Sequence, residues 1–176
     1  IEMRDSHPDY PALLIGNYIL GSGPASRLFG RIRGREGLSY GVGSSFGASP
    51  RSDGATFTVN AIAAPQNAER VEASFRDELT NVLRDGYTEE ELAQAKVSWA
   101  QQQQVRRTQD GGLANTLGLW THVGRTMAWD AELEAKVEAL TVAQVRDAMR
   151  RHLDLTKMTF MRGGDFEGAA EAAASQ

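Results

Sequence analysis

The chain contains no cysteine, which excludes disulfides and thiolate metal sites without fixing a compartment. It has three histidines, His7, His122 and His152, in widely separated segments. None stands in H-E-x-x-H or its inversion H-x-x-E-H, the spacings that put two ligands on one helical face. Structural or surface roles are expected for all three, and no metal ligand is assigned. No apolar run approaches the about 18 residues that a membrane span needs. Positive charge is not in excess: 19 basic against 23 acidic residues give a net charge of −4, which argues against nucleic acid as a partner. No G-x-S-x-G elbow occurs, and Ser26, Ser39, Ser44 and Ser45 have no evident His–acid partner. The acidic residues are scattered over helix starts and polar faces. No catalytic centre is therefore complete within this chain.

A length of 176 residues fits one domain, which buries about 70% of the surface exposed by its unfolded form. The chain starts at Ile1, without Met or a signal peptide, and reads as a piece of a longer protein.

Hydrophobic periodicity sets out the elements. Residues 1–4 could be the end of a strand, and Asp5, Ser6 and Pro8 supply turn and cap chemistry. Residues 10–20 are apolar on most sides and long enough for a buried helix. The following Gly21-Ser22-Gly23-Pro24 lacks the Gly-Lys-Ser/Thr ending of a phosphate loop and follows a helix, so that reading is rejected. Tyr40, Val42, Ser44 and Phe46 share one face of a strand. Phe57, Val59, Ala61 and Ala63 share one face of a second, and turn residues 49–54 between them predict an antiparallel hairpin.

Residues 66–84 form an amphipathic helix with Val71, Phe75, Leu79, Val82 and Leu83 as its stripe and Gly86 beyond its end. Thr88 with Glu91 makes a capping box for a helix that buries Leu92, Ala95 and Trp99. Gly111-Gly112 breaks the pattern, and residues 113–122 restart it through Leu113, Leu117 and Trp120. Asp130 is read as the cap of a short helix with Leu133, Val137 and Leu140. Thr141 with Gln144 is a second capping box, with Val142, Val145, Met149 and Leu153 behind it. Met158 to Met161 is read as a strand. The Ala- and Glu-rich residues 167–176 are a tail: a helical extension, a linker or a cloning remnant. A hairpin and a distant strand sharing one sheet, with helices stacked on one face, make the chain α+β with an antiparallel or mixed sheet.

The stretch Leu20 to Val42 organises the rest. Ser26 is the expected cap of a short basic helix, because its hydroxyl can accept from a free first-turn N–H. Leu28, Phe29 and Ile32 form the apolar face of that helix. Arg27, Arg31, Arg33 and Arg35 occupy much of the remainder. Gly37 suits a left-handed exit. By composition alone, a basic helix before a strand is a solvated face and an aromatic on a strand is core.

The order Asn17-Tyr18-Ile19-Leu20-Gly21, Ser26-Arg27-Leu28, Ile32-Arg33 and Gly37-Leu38-Ser39-Tyr40 resembles the second, non-zinc half of the pitrilysin–insulinase zinc metallopeptidases, the group of the mitochondrial processing peptidase. Its usual form is close to S-R-L-x-x-x-[IL]-R-E-x-x-G-L-[AG]-Y. Arg33 and Tyr40 match, seven residues apart. The acidic residue expected after the Arg is Gly34 here, and Glu36 follows two positions later.

The resemblance runs from about Pro8 to Asp165. It implies a processing-peptidase-like α+β sandwich over residues 1–166, with further strands and helices before Ile1 and an exposed sheet edge where they would pair. It also implies that zinc and the general base sit in an N-terminal domain, or a partner subunit, that carries H-x-x-E-H. Arg33 and Tyr40 would reach a peptide substrate near the scissile bond. There a guanidinium and a phenol in a dry cavity stabilise the negative charge growing on a carbonyl oxygen. Two other readings remain open: a non-catalytic scaffold subunit of the same fold, and a generic α+β binding module.

Overall fold

The computed structural model describes residues 1–168. Six α-helices follow one another: α1 (Tyr10–Asn17), α2 (Ala68–Asp85), α3 (Glu89–Thr108), α4 (Asp110–Val123), α5 (Met127–Glu138) and α6 (Val142–His152). Two strands, β1 (Gly41–Ala48) and β2 (Ala55–Ile62), lie between α1 and α2. The fold is α+β, as the periodicity predicts.

The strands form an antiparallel hairpin with Ser44 opposite Val59 and Phe46 opposite Phe57. These residues face the helices: Phe46 stacks at 5.8 Å on Tyr10 of α1, and the buried Ser44 hydroxyl donates to the Asn17 carbonyl (3.4 Å). The opposite face carries Ser45, Gly47, Thr56, Thr58 and Asn60, which are exposed. The helices thus cover one face.

After α1 the chain widens into a π-helical turn, Tyr18–Ser22. Gly21 passes so close to β1 that a Cβ there would lie 2.8 Å from the Ser44 backbone nitrogen. Only glycine permits that approach.

The first residues clasp the hairpin without forming a strand. Ile1 and Ala55 exchange backbone hydrogen bonds (3.0 and 2.8 Å), and Asp5 N–H donates to the Ser49 carbonyl (3.2 Å). Asp5 supplies no cap. Its carboxylate instead receives both Arg125 terminal nitrogens (2.5 and 2.7 Å), while that guanidinium lies over the Trp129 ring at 4.5 Å.

The core joins α1, α2, α3 and α6 through Leu13, Ile15, Leu79, Val82, Leu92, Val145 and Met149, all closed to solvent. Both predicted capping boxes form. Thr88 accepts from Glu91 N–H (3.1 Å) and Glu91 accepts from Thr88 N–H (2.8 Å). Thr141 and Gln144 repeat the pair at the start of α6.

Four expectations are corrected. Met158 to Met161 pairs with no strand among the described residues. Phe160 is drawn onto α2 by side-chain contacts instead, with Phe75 at 6.0 Å and the Arg76 guanidinium over its ring at 3.8 Å. Asp130 does not cap α5, because Thr126 accepts from Ala128 N–H (3.3 Å) and Asp130 is taken by the Trp120 indole N–H. Gly111 and Gly112 lie inside the first turn of α4, which breaks from α3 at Gln109. Leu117 is exposed, not packed. The tail assigned to 167–176 lies, from residue 169 on, outside the described residues.

Candidate substrate-binding site

A tight turn leads into the basic helix: Ser26 N–H donates to the Gly23 carbonyl (3.2 Å), and the Ser26 carbonyl accepts from Gly30 N–H (3.0 Å). Ser26 stands where a cap would, but its hydroxyl is buried and has no hydrogen-bond partner among the described residues. The expected side-chain cap is therefore not made. The helix then runs in π form over Phe29–Arg35. Leu28 and Ile32 are fully buried. Phe29, expected on the same face, is 39% exposed, because the wider π spacing carries it to the rim.

The four arginines divide by task. Arg27 donates from Nε and Nη2 to the two Glu91 oxygens (2.6 and 2.7 Å), reaches Glu78 at 3.5 Å, and lies 5.0 Å from the Tyr87 ring centroid. Tyr87 is buried and donates to the Gly16 carbonyl (2.7 Å), and its burial pushes the phenol pKa up. Arg31 donates to Glu36 (2.8 Å), Asp77 (2.5 Å) and Glu78 (3.2 Å). The Glu36 carboxylate, with Asp77 and Glu78 behind it, raises the Arg31 pKa against the opposing effect of burial. These pairs bolt the helix to α2 and α3.

Arg33 is different. It is exposed, has no carboxylate partner among the described residues, and sits with its guanidinium carbon 5.0 Å from the centroid of Phe29. The helix ends at Arg35, and Gly37 turns the chain with φ +61°, as expected of a left-handed exit. Leu38 N–H donates to the Ile32 carbonyl (2.9 Å), and Tyr40 N–H donates to the Ile62 carbonyl (2.8 Å). Ser39 turns its hydroxyl to the Gly41 and Ile62 carbonyls (2.7 and 2.8 Å). The backbone at Tyr40 is thus fastened to β2, while its side chain is 78% exposed. Tyr40 shares a strand parity with Val42, Ser44 and Phe46, but it precedes β1 and escapes the cover that shields them. Both matched residues therefore present their polar ends to solvent, from a frame that is buried.

His7 and His152, distant in sequence, meet at Asp9. Their rings lie edge to face at 5.4 Å. Asp9 accepts from Arg151 at 2.7 and 3.0 Å, and its Oδ2 lies 2.8 Å from His152 Nε2. The Arg151 guanidinium, helped by His152, holds Asp9 below the usual carboxylate range against the effect of burial. The donor set of two imidazoles and one carboxylate suits zinc, but the bonding does not fit it. His7 Nδ1 accepts from Asp9 N–H (3.0 Å), which leaves the proton of the neutral ring on Nε2. Both Asp9 oxygens already receive a guanidinium. A cation would have to displace both arrangements, so this cluster is a structural tie between the entry to α1 and the end of α6. No sequence spacing announced it. Glu78 and Ser74 carry no local sequence signal either; Glu36 is visible as the displaced acidic residue of the motif, and Glu91 as a cap.

The sequence profile of the peptidase M16 inactive domain matches residues 1–98. An uncharacterized zinc protease of Streptomyces coelicolor is 33% identical over 145 residues, covering 79% of this chain and 30% of that protein; the chain thus spans under a third of that relative's length. A crystal structure of a peptidase M16 inactive domain from Pseudomonas fluorescens superposes with a TM-score of 0.75 at 28% identity, covering 88% of this chain and 36% of that one. A protease from Helicobacter pylori shares the fold, with a TM-score of 0.73 at 15% identity over 84% of this chain and 35% of its own. With the profile covering more than half of its length, and with the fold superposing on a solved member at a TM-score of 0.75, this chain belongs to the peptidase M16 inactive-domain family.

Proposed function

We propose that this chain is the substrate-side domain of a zinc-dependent metalloendopeptidase, and that Arg33 and Tyr40 bind the peptide near its scissile bond. Zinc and the general base belong to an N-terminal domain or partner subunit; the described residues do not form that centre. The observation that carries the reading is the contrast within one helix and turn. Arg27 and Arg31 are consumed by carboxylates, while Arg33 and Tyr40, the two motif positions, are left exposed on a fixed backbone; the neighbouring Arg35 is exposed as well, but lies off the motif.

Arg33 offers a permanently charged fork of N–H donors, and Tyr40 a neutral O–H. As water adds to a peptide bond, negative charge gathers on the carbonyl oxygen. Donors already in place stabilise that charge without reorganising. A scaffold subunit has no need of two unpaired polar ends held this way.

The test is made in the assembled peptidase. Tyr40→Phe removes one donor and keeps the ring; Arg33→Ala removes the fork. Each is expected to lower kcat/KM about 100- to 1000-fold with zinc content unchanged. Full turnover in both variants would overturn the reading.

A further inference from the structure

Between Arg33 and Tyr40 stands one acidic side chain, Glu36, on the residue after the basic helix ends and directly before the left-handed Gly37. Both its oxygens are engaged. Oε1 accepts from Arg31 Nε (2.8 Å), and Oε2 accepts from the Ser74 hydroxyl of α2 (2.5 Å). Its backbone N–H donates to the Arg31 carbonyl (2.9 Å). Arg31 carries the connection on to Asp77 and Glu78 of the same helix α2. One turn further along the chain, Leu38 is held by the Asn67 side-chain amide, which donates to its carbonyl (3.3 Å).

We propose that Glu36 is a positioning residue for substrate binding: clamped between Arg31 and Ser74, it fixes the helix exit so that Arg33 and Tyr40 engage one peptide backbone together. This rests on the role proposed above for Arg33 and Tyr40. Glu36 itself touches no substrate. Its effect comes through geometry, because Arg33 rides on the helix and Tyr40 on the sheet, and two donors acting on one charge must be held to within a fraction of an ångström. Glu36 is suited to the task for three reasons. A carboxylate has two acceptor oxygens, so it can take a guanidinium and a hydroxyl at once. It is half-buried against α2, so the pair is partly screened from water. And burial, which opposes ionisation, is outweighed by the Ser74 hydroxyl and Arg31, so the group titrates below its ordinary value and stays charged at neutral pH.

The experiment is a double-mutant cycle in the assembled peptidase. Glu36→Gln keeps the shape and removes the charge. Ser74→Ala removes one anchor and leaves the charge alone. Each is expected to lower kcat about tenfold with KM little changed and with zinc content intact. In an Arg33→Ala background the same changes are expected to have almost no further effect, since there is no longer a fork to position. A merely structural role would give the opposite pattern, an equal loss in both backgrounds, and that result would overturn the proposal. So would parental kcat in both Glu36→Gln and Ser74→Ala while Arg33→Ala is impaired; the substrate-binding role would then survive alone. If Arg33→Ala and Tyr40→Phe are themselves fully active, the underlying reading falls and the positioning role falls with it.

Discussion

Replacing Glu91 with alanine strikes two attachments through one carboxylate. The first is the capping box of α3, where Glu91 Oε2 accepts from Thr88 N–H at 2.8 Å. Losing such a bond costs about 1 kcal/mol. The second is the pair with Arg27, whose side chain is only 24% exposed. Breaking a fully buried pair costs about 3–5 kcal/mol and an exposed one about 0–1. Arg27 keeps Glu78 at 3.5 Å and the Gly86 carbonyl at 3.4 Å, so the loss here lies between those limits, at about 1–2 kcal/mol. Together they predict destabilisation of about 2–3 kcal/mol, or a drop in Tm of about 5–10 °C for a chain of this size.

Urea unfolding of the purified chain, followed by tryptophan fluorescence, reads this directly. Glu91→Gln keeps an acceptor for Thr88 and loses the charge, so it is expected to fall between the parent and Glu91→Ala. The pH dependence has a definite sign. Burial raises the Glu91 pKa, but Arg27 and Thr88 lower it by more. A depressed folded value means that the contribution is complete above the ordinary glutamate value and disappears as pH falls through the folded one. The gap between parent and Glu91→Ala should therefore close in acid. A loss below about 0.5 kcal/mol at neutral pH would refute the reasoning, since surface changes away from such features fall within that range.

Three further outcomes are expected. Asp9→Asn removes the charge and one of the two acceptor oxygens that serve Arg151 and His152; because the Asp9 pKa is held low chiefly by Arg151, the parent should lose stability as pH falls through that value, while the variant, about 1 kcal/mol weaker at neutral pH, should show a flatter acid limb in pH-dependent unfolding. Gly37→Ala meets no atom within 4 Å, so its cost of about 1–2 kcal/mol comes from backbone conformation alone; Gly37→Asn should cost less, measured by thermal unfolding. The isolated chain with added zinc should cleave no peptide in a fluorogenic assay; cleavage would mean that the reactive centre lies within these residues.

Signals confined to a few neighbouring residues were legible in the sequence. Thr88–Glu91 and Thr141–Gln144 each specify a cap within four positions, and both form. The stripe Leu92, Ala95, Trp99 is buried as its spacing requires, and Gly37 and Gly86 both take positive φ. What depended on distant partners was not legible. Met158 to Met161 has the alternation of a strand, but alternation does not provide a neighbouring edge, and Phe160 found α2 instead. Asp130 was a plausible cap until an indole ten residues away claimed it. Within the candidate site, the matched motif marks Arg33 and Tyr40, and the structure leaves both exposed. The ionic frame around them joins residues up to 64 positions apart, which no local pattern encodes.

The fastening of Tyr40 to Ile62 has a consequence for how this region tolerates changes in length. Tyr40 is anchored to a sheet and Arg33 to a helix that ends at Arg35, and the chain between these anchors is a four-residue connector, 36–39, whose residues are themselves tied down. An extra residue there would move the phenol and leave the guanidinium where it is, whereas the Ser49–Gly54 loop at the far tip of the hairpin could grow without either side chain noticing. Variation in length among relatives should therefore accumulate at the tip and be absent from the connector.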